Sequence, residues 1–359
     1  MAFRVGHAPL GKAGAWLIRL ADPAWLSRSL SLPPPIAPSL IPHLVEAAFA
    51  HGVAPTARRH LRGFAERSEA ATLIAGPAAS EILNDALAGL DRRRILVAGQ
   101  SLLLSHHASR ITSALRDARL AATVVKGVTF SHRLYPHPSE RSFTDIDVLL
   151  NTQAVGPATA VLRELGYAPA SEWDAQDNDR REMKWLLPGN DVLAIELQTD
   201  LIHSENLRSG IRFGYDEMMA AGDGDPLDAT AQLLVAAIHG AAGHQFERLQ
   251  PAVDTVQAAR GVAGPISRER MLRVAHRIGI GPALQSALDV VARLFDEPAA
   301  RILADALGSP PWRGVRSRLL SPAIIARSQA RTGWLDSWRR RSFREAIRRS
   351  GHRSVARVR

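Results

Sequence analysis

A short block of strand-like sequence, set between two long helical ones, most constrains this fold. From Ser39 to about Arg119 apolar residues recur at helical spacing. "LIPHLVEAAFAHGV", "AASEILNDALAGL" and "RRRILVAGQSLLLSHHASRITSALRDARL" read as separate helices. Then the period changes. "AATVVKG" is a β-branched run stopping at Gly127, and "VTFSHRLY" reads as a short helix or turn. "PHPSERS" is a loop, "DIDVLL" a strand, and "AVGPATAVLRELGY" an amphipathic helix ended by Gly166. "MKWLLPGNDVLAIELQTDLI" predicts a hairpin turning at Pro188–Asp191. After about Asp228 the chain is helical again. A hairpin argues against an all-parallel doubly wound sheet. The expected class is therefore α+β, with a small mixed sheet over 120–215. Helical regions flank it at 39–119 and 216–311. Ahead of them lies a poorly determined segment, 1–38, whose "LPPPIAP" cannot be helix interior. An extension, 312–359, follows.

Charge is placed unevenly. The net charge is +10, yet the extension alone holds 14 Arg against Asp336 and Glu345, or +12. The rest of the chain is thus close to −2. A basic tail of this kind, "SWRRRSFREAIRRSGHRSVARVR", can bind RNA or an acidic membrane surface, or remain a solvated, partly helical face. There are no cysteines, which excludes disulfides, thiolate zinc sites and a Cys nucleophile. Any metal must be held by oxygen or imidazole. No run approaches the ~18 apolar residues of a membrane span, and no signal-peptide core is evident, so a cytoplasmic protein is expected.

Asp145 and Asp147 interrupt what is otherwise a core strand. Residues two apart on a strand share a face, so these carboxylates stand roughly 6–7 Å apart. At an effective dielectric of about 20 they repel by roughly 2–3 kcal/mol. A shared proton, a nearby Arg or a divalent cation would offset this. Upstream, Lys126-Gly127 ends a strand and opens a helix, an arrangement that can present backbone N–H groups to an anion. Its bland alternative is an ordinary turn with an exposed Lys. Downstream, Glu196 breaks an apolar run from Val192 to Leu197, which is costly in a core strand unless the carboxylate is paired or metal-bound. An edge strand with Glu196 in water is the alternative.

In this order, Lys126-Gly127, Asp145-Ile146-Asp147 and Glu196 resemble the polymerase-beta-type nucleotidyltransferase superfamily. More closely, "VVKGVTFSHRLYPHPSERSFTDIDVLL" is similar to the bacterial uncharacterised nucleotidyltransferase family. Its Lys-Gly turn, Leu-Tyr-Pro segment, preceding Arg (Arg141) and Asp-Ile-Asp are all present. The likeness runs through "ELGY" and the Glu196 strand to His239, His244, Leu249 and Asp254, and covers about 40 to 300. Family members usually carry His and an aromatic soon after the third acid. Gln198 and Thr199 stand there instead.

The resemblance implies a polymerase-beta-like core and metal-dependent transfer of a nucleoside monophosphate from an NTP, with ATP the first candidate. Asp145, Asp147 and Glu196 would be the catalytic acids and the ligands of Mg²⁺ or Mn²⁺ in a two-metal site. Lys126 and Gly127 would hold the β- and γ-phosphates. Arg141 would neutralise developing charge or form a salt bridge to Asp145 or Glu140. Gln198, His239 and His244 are candidates for the acceptor pocket. The histidines are poor metal ligands: His239 and His244 are five apart on a predicted helix, and His106 and His107 are adjacent. The acceptor, a hydroxyl or phosphate on a small molecule, peptide or protein, is not legible, nor is the oligomeric state. RNA as acceptor, in the manner of antitoxin-like relatives, is supported only by the tail. A non-catalytic nucleotide-binding protein is disfavoured by the presence of all three acids.

Overall fold

The computed structural model describes residues 11–28, 30–170, 182–202, 211–243, 246 and 248–308. The Arg-rich extension lies outside the described residues. Five helices come first: α1 Gly11–Ala21, α2 Ile41–Ala50, α3 Ala54–Glu66, the short α4 Ala70–Leu73, and α5 Ala79–Asp117. Segment 1–38 therefore contains a helix, with Trp16, Leu17 and Leu20 fully buried.

The two helices expected between Ala78 and Arg119 are one, 39 residues long. Nothing in the sequence stops it. Gly89 and Gly99 each cost only about 1 kcal/mol inside a helix. Asp91, which could have begun a second helix, instead pairs with Arg58 and Arg62 of α3. The helix is about 60 Å long at 1.5 Å per residue. It joins two cores. Leu83, Leu87 and Leu90 pack among the helices. Leu104, Ala108, Ile111 and Leu115 pack under the sheet.

The central unit follows: β1 Ala122–Val125, α6 Gly127–Arg133, β2 Asp145–Leu150, α7 Val155–Glu164, β3 Ala168–Pro169, β4 Glu182–Leu187 and β5 Asn190–Gln198. The strand order is β1-β2-β5-β4-β3. Only β2 and β5 are parallel, so the sheet is mixed, as expected. The hairpin turn is tighter than the sequence predicts: Asn190 already belongs to β5, leaving Pro188 and Gly189 between the strands. Gly189 has φ +79°, which glycine adopts without a steric penalty. One face of the sheet is apolar. Ile146, Val148, Leu150, Trp185, Ile195 and Leu197 meet α5 and Ala158 and Leu162 of α7 there. The alternation of a strand then sends Asp145, Asp147, Glu196 and Gln198 to the opposite face.

Helices α8 Tyr215–Ala221, α9 Ala229–Ile238, α10 Leu249–Ala259, α11 Arg268–Arg277, α12 Gly281–Leu294 and α13 Pro298–Ala306 complete the described chain. Every residue of α9 is buried, as a helix apolar on all sides requires. The two flanking helical regions share one core, in which Trp16, Leu44 and Phe64 lie with Leu234, Val253 and Leu288. A buried ionic cluster adds a second tie. Arg260, which caps the C-terminus of α10, grips Asp22 at 2.6 and 2.8 Å and Glu297 at 2.6 Å. Arg28 joins them at 3.3 Å from Glu297 and 3.5 Å from Asp22. No helix among the described residues is long and apolar enough to cross a membrane.

Candidate active site

Parallel pairing of β2 with β5 brings the acids together. Asp147 stands opposite Glu196, and Asp145 opposite Ala194. Glu196 is therefore on an inner strand, between β2 and β4, and not on an edge. Asp147 is buried, while Asp145 and Glu196 are half-buried. Two residues on β4 complete this face. Lys184 is in register with Glu196, and Glu182 with Gln198, both exposed.

Lys126 is not the exposed lysine of an ordinary turn. It is 3% exposed, and its Nζ lies 2.7 Å from Oδ1 of Asp147. Its backbone has φ +55° and ψ −127°, a region that L side chains avoid and glycine favours. Gln198 is fully buried between the charges. Its Nε2 donates to Asp147 Oδ1 at 2.7 Å and to Glu196 Oε2 at 3.3 Å. Its Oε1 accepts from Lys126 Nζ at 3.4 Å. Gln198 thus belongs to the carboxylate cluster.

Gly127 is needed where it stands. A Cβ there would lie 3.3 Å from the Asp145 carbonyl oxygen and 3.5 Å from Phe143 Cβ. Arg141 fixes the turn from behind. Its Nη1 donates to the Gly127 carbonyl at 3.1 Å. Its Nε and Nη2 grip Asp254 of α10 at 2.9 and 2.8 Å. Tyr135 donates to the same Asp254 at 2.8 Å. Burial works against the guanidinium charge, but Asp254 outweighs it and holds Arg141 above its ordinary pKa. Burial and Asp254 together push Tyr135 well up. The sequence suggested Asp145 or Glu140 as the partner of Arg141. The structure gives Asp254, and Glu140 pairs instead with Arg59 at 2.9 Å. Buried and engaged through three nitrogens, Arg141 supports the turn.

Glu196 reports the electrostatics of the face. Burial first, then Glu182, Asp147 and Asp145, push its pKa up to about 7, with Lys126 opposing. Among the described residues, no three acids or histidines stand close enough together to hold a metal ion. Lys126 and Gln198 draw Asp147 aside. The donor chemistry nevertheless fits a hard divalent cation: Asp145, Asp147 and Glu196 offer only oxygens, from one face, in a field that a cation relieves.

His239 is buried and opens a π-helical turn, His239–Gly243, at the end of α9. The uninterrupted helix expected through His244 is thus broken, and His244 lies outside the described residues. Tyr135 and Asp254 stood out in the sequence only as parts of a motif. Glu182 was not singled out, because it precedes the apolar run that marks the hairpin.

No curated protein and no solved structure matches the chain. A family model described as "uncharacterised nucleotidyltransferase" matches residues 38–296. That span takes in the Lys126 turn, both strands that carry the acids, and Asp254. By this match, over most of its length, the chain belongs to the uncharacterised nucleotidyltransferase family.

Proposed function

We propose that the protein moves a nucleoside monophosphate from an NTP, ATP first among them, to a hydroxyl or phosphate on a small molecule, peptide or protein in the cytoplasm. The observation that carries this reading is the face itself: Asp145, Asp147 and Glu196 project together from parallel strands beside the Lys126-Gly127 turn. The acceptor oxygen bonds to the α-phosphorus as the bond to the pyrophosphate oxygen breaks. Glu196 would complete the ligand set or take the acceptor proton. Asp145, Asp147 and Glu196 would hold Mg²⁺ or Mn²⁺, which supplies positive charge to the acceptor oxygen and to the departing pyrophosphate. Lys126 holds Asp147, and the Gly127 turn packed against β2 would face the β- and γ-phosphates.

Pyrophosphate release from each NTP in the presence of Mg²⁺ tests this directly. Release that depends on Mg²⁺ and is lost in Asp145→Asn and Asp147→Asn supports the reading. Unchanged release in both variants would falsify it. RNA as acceptor is favoured by one observation, the +12 charge of residues 312–359. Deleting 337–359 separates the two readings: salt-sensitive RNA binding that disappears with the tail favours RNA.

A further inference from the structure

We infer that a slot beside α5, apart from the acid face, binds a small phosphomonoester whose organic part is apolar, an aryl phosphate being the simplest case. None of Lys126, Asp145, Asp147 and Glu196 lines it, so the inference stands whether or not the protein transfers nucleotides.

The slot lies where the turn between α2 and α3, the middle of α5 and the loop at 139–142 meet. It spans about 510 Å³ counting its open mouth, a size ordinary for small-molecule sites. Phe49, Leu90, Val97 and Ala98 give it an apolar wall. That wall suits a ring or a short alkyl chain, which gains by leaving water. Polar groups stand beside it: the guanidiniums of Arg58 and Arg94 and the hydroxyls of Ser101 and Ser139. Ser142 borders the same slot three residues before Asp145, so the loop that walls it runs on into β2.

Charge at the slot does not cancel. Asp91 is the acid its cations share. Arg58 donates to it through Nε alone, and Arg62 through Nη2 at 3.1 Å. Arg58 first, then Arg62 and Arg94, hold its carboxyl below the ordinary range. Among the described residues Arg94 forms no hydrogen bond or ion pair of its own. Three guanidiniums thus stand around one carboxylate, a formal +2. A phosphomonoester carries about −1.5 to −2 at neutral pH and three acceptor oxygens. One such group offsets the surplus and takes bonds from the guanidiniums and hydroxyls together. A carboxylate or sulfonate, with a single charge, would leave half of it.

Calorimetric titration of the full chain tests this, with phenyl phosphate, inorganic phosphate and phenol as probes and no divalent metal present. Phenyl phosphate is expected to bind about tenfold or more tighter than either of its parts, since the ring is buried as well as the charge held. Arg94→Gln, at an exposed side chain, should weaken it on the order of tenfold by removing one charged donor. Ala98→Leu narrows the apolar wall without touching the charges and should also weaken it about tenfold. Asp145→Asn should leave the affinity unchanged, because the acid face is not the site. A thermal melt confirms that each variant is folded. No binding of phenyl phosphate, equal binding of inorganic phosphate, unchanged affinity in Arg94→Gln or Ala98→Leu, or loss in Asp145→Asn overturns the inference. Pyrophosphate release is measured separately. A chain that binds phenyl phosphate as described but releases no pyrophosphate counts against nucleotidyl transfer and leaves this inference standing.

Discussion

Two buried charged clusters in this molecule solve the same problem differently. In the first, Asp22 and Glu297 meet Arg28 and Arg260, two acids against two guanidiniums, all between 2.6 and 3.5 Å. Its charges cancel within the chain, and it fastens the first helices to the last. In the second, Lys126 and Gln198 hold Asp147 while Asp145 and Glu196 share its face. Burial first, then the neighbouring acids, push Glu196 up to about 7. The comparison teaches that burial alone does not mark a functional cluster. What differs is that like charges crowd Glu196, whereas each acid of the first cluster meets a guanidinium.

The comparison can be broken most sharply at Asp22. Removing one partner of a buried ion pair typically costs about 3–5 kcal/mol, and Asp22→Ala should lower the free energy of unfolding by that much in urea titrations. A variant as stable as the parent would show that the first cluster is no strut. At the second cluster the loss should fall on activity instead. Asp145→Asn should cut pyrophosphate release on the order of 10²–10³-fold, the scale seen when one electrostatic contact to a transition state is removed, with the urea midpoint nearly unchanged.

A third outcome concerns pH and the helical side alone. Burial, reinforced by Arg59, lowers the pKa of His60 from 6.5 to about 4. The unfolded chain therefore binds the proton more readily. The stability His60 confers is complete above about pH 6.5 and falls as pH drops towards 4, by about 3 kcal/mol in all. Stability curves measured across that window should flatten in His60→Gln. The smallest expected effect is a gain. Without divalent ions, Glu196→Gln removes a charge that its neighbours repel and should raise stability by about 1 kcal/mol, allowing for solvent screening of a half-buried group. A loss of stability instead would show that the second cluster is balanced as it stands.

Local pattern made much of this legible in advance. The Asp145 strand and the Glu196 hairpin each announce themselves within a few residues, because strand alternation and turn chemistry are local. The acids sit against that pattern, which is why they stood out. What escaped is non-local. The hold of Asp254 on Arg141 spans 113 residues, and nothing in either neighbourhood names the other. The hold of Gln198 on Asp147 is hidden for a related reason, since it spans 51 residues. The continuity of α5 was missed because Gly89 and Asp91 look like punctuation, while the contacts of Asp91 with α3 that override it lie elsewhere in the chain.

The Arg141–Asp254 contact also bears on synthesis. A ribosome delivers the turn, both aspartates and Glu196 well before it delivers residue 254. Until α10 emerges and docks, Arg141 has no carboxylate to meet, and the Gly127 carbonyl has no fixed donor behind it. The nascent chain can therefore carry every acid of the site and still lack its rigid floor. A chain released before α10 would carry the acids without the Asp254 contact that holds Arg141 beneath the Gly127 carbonyl.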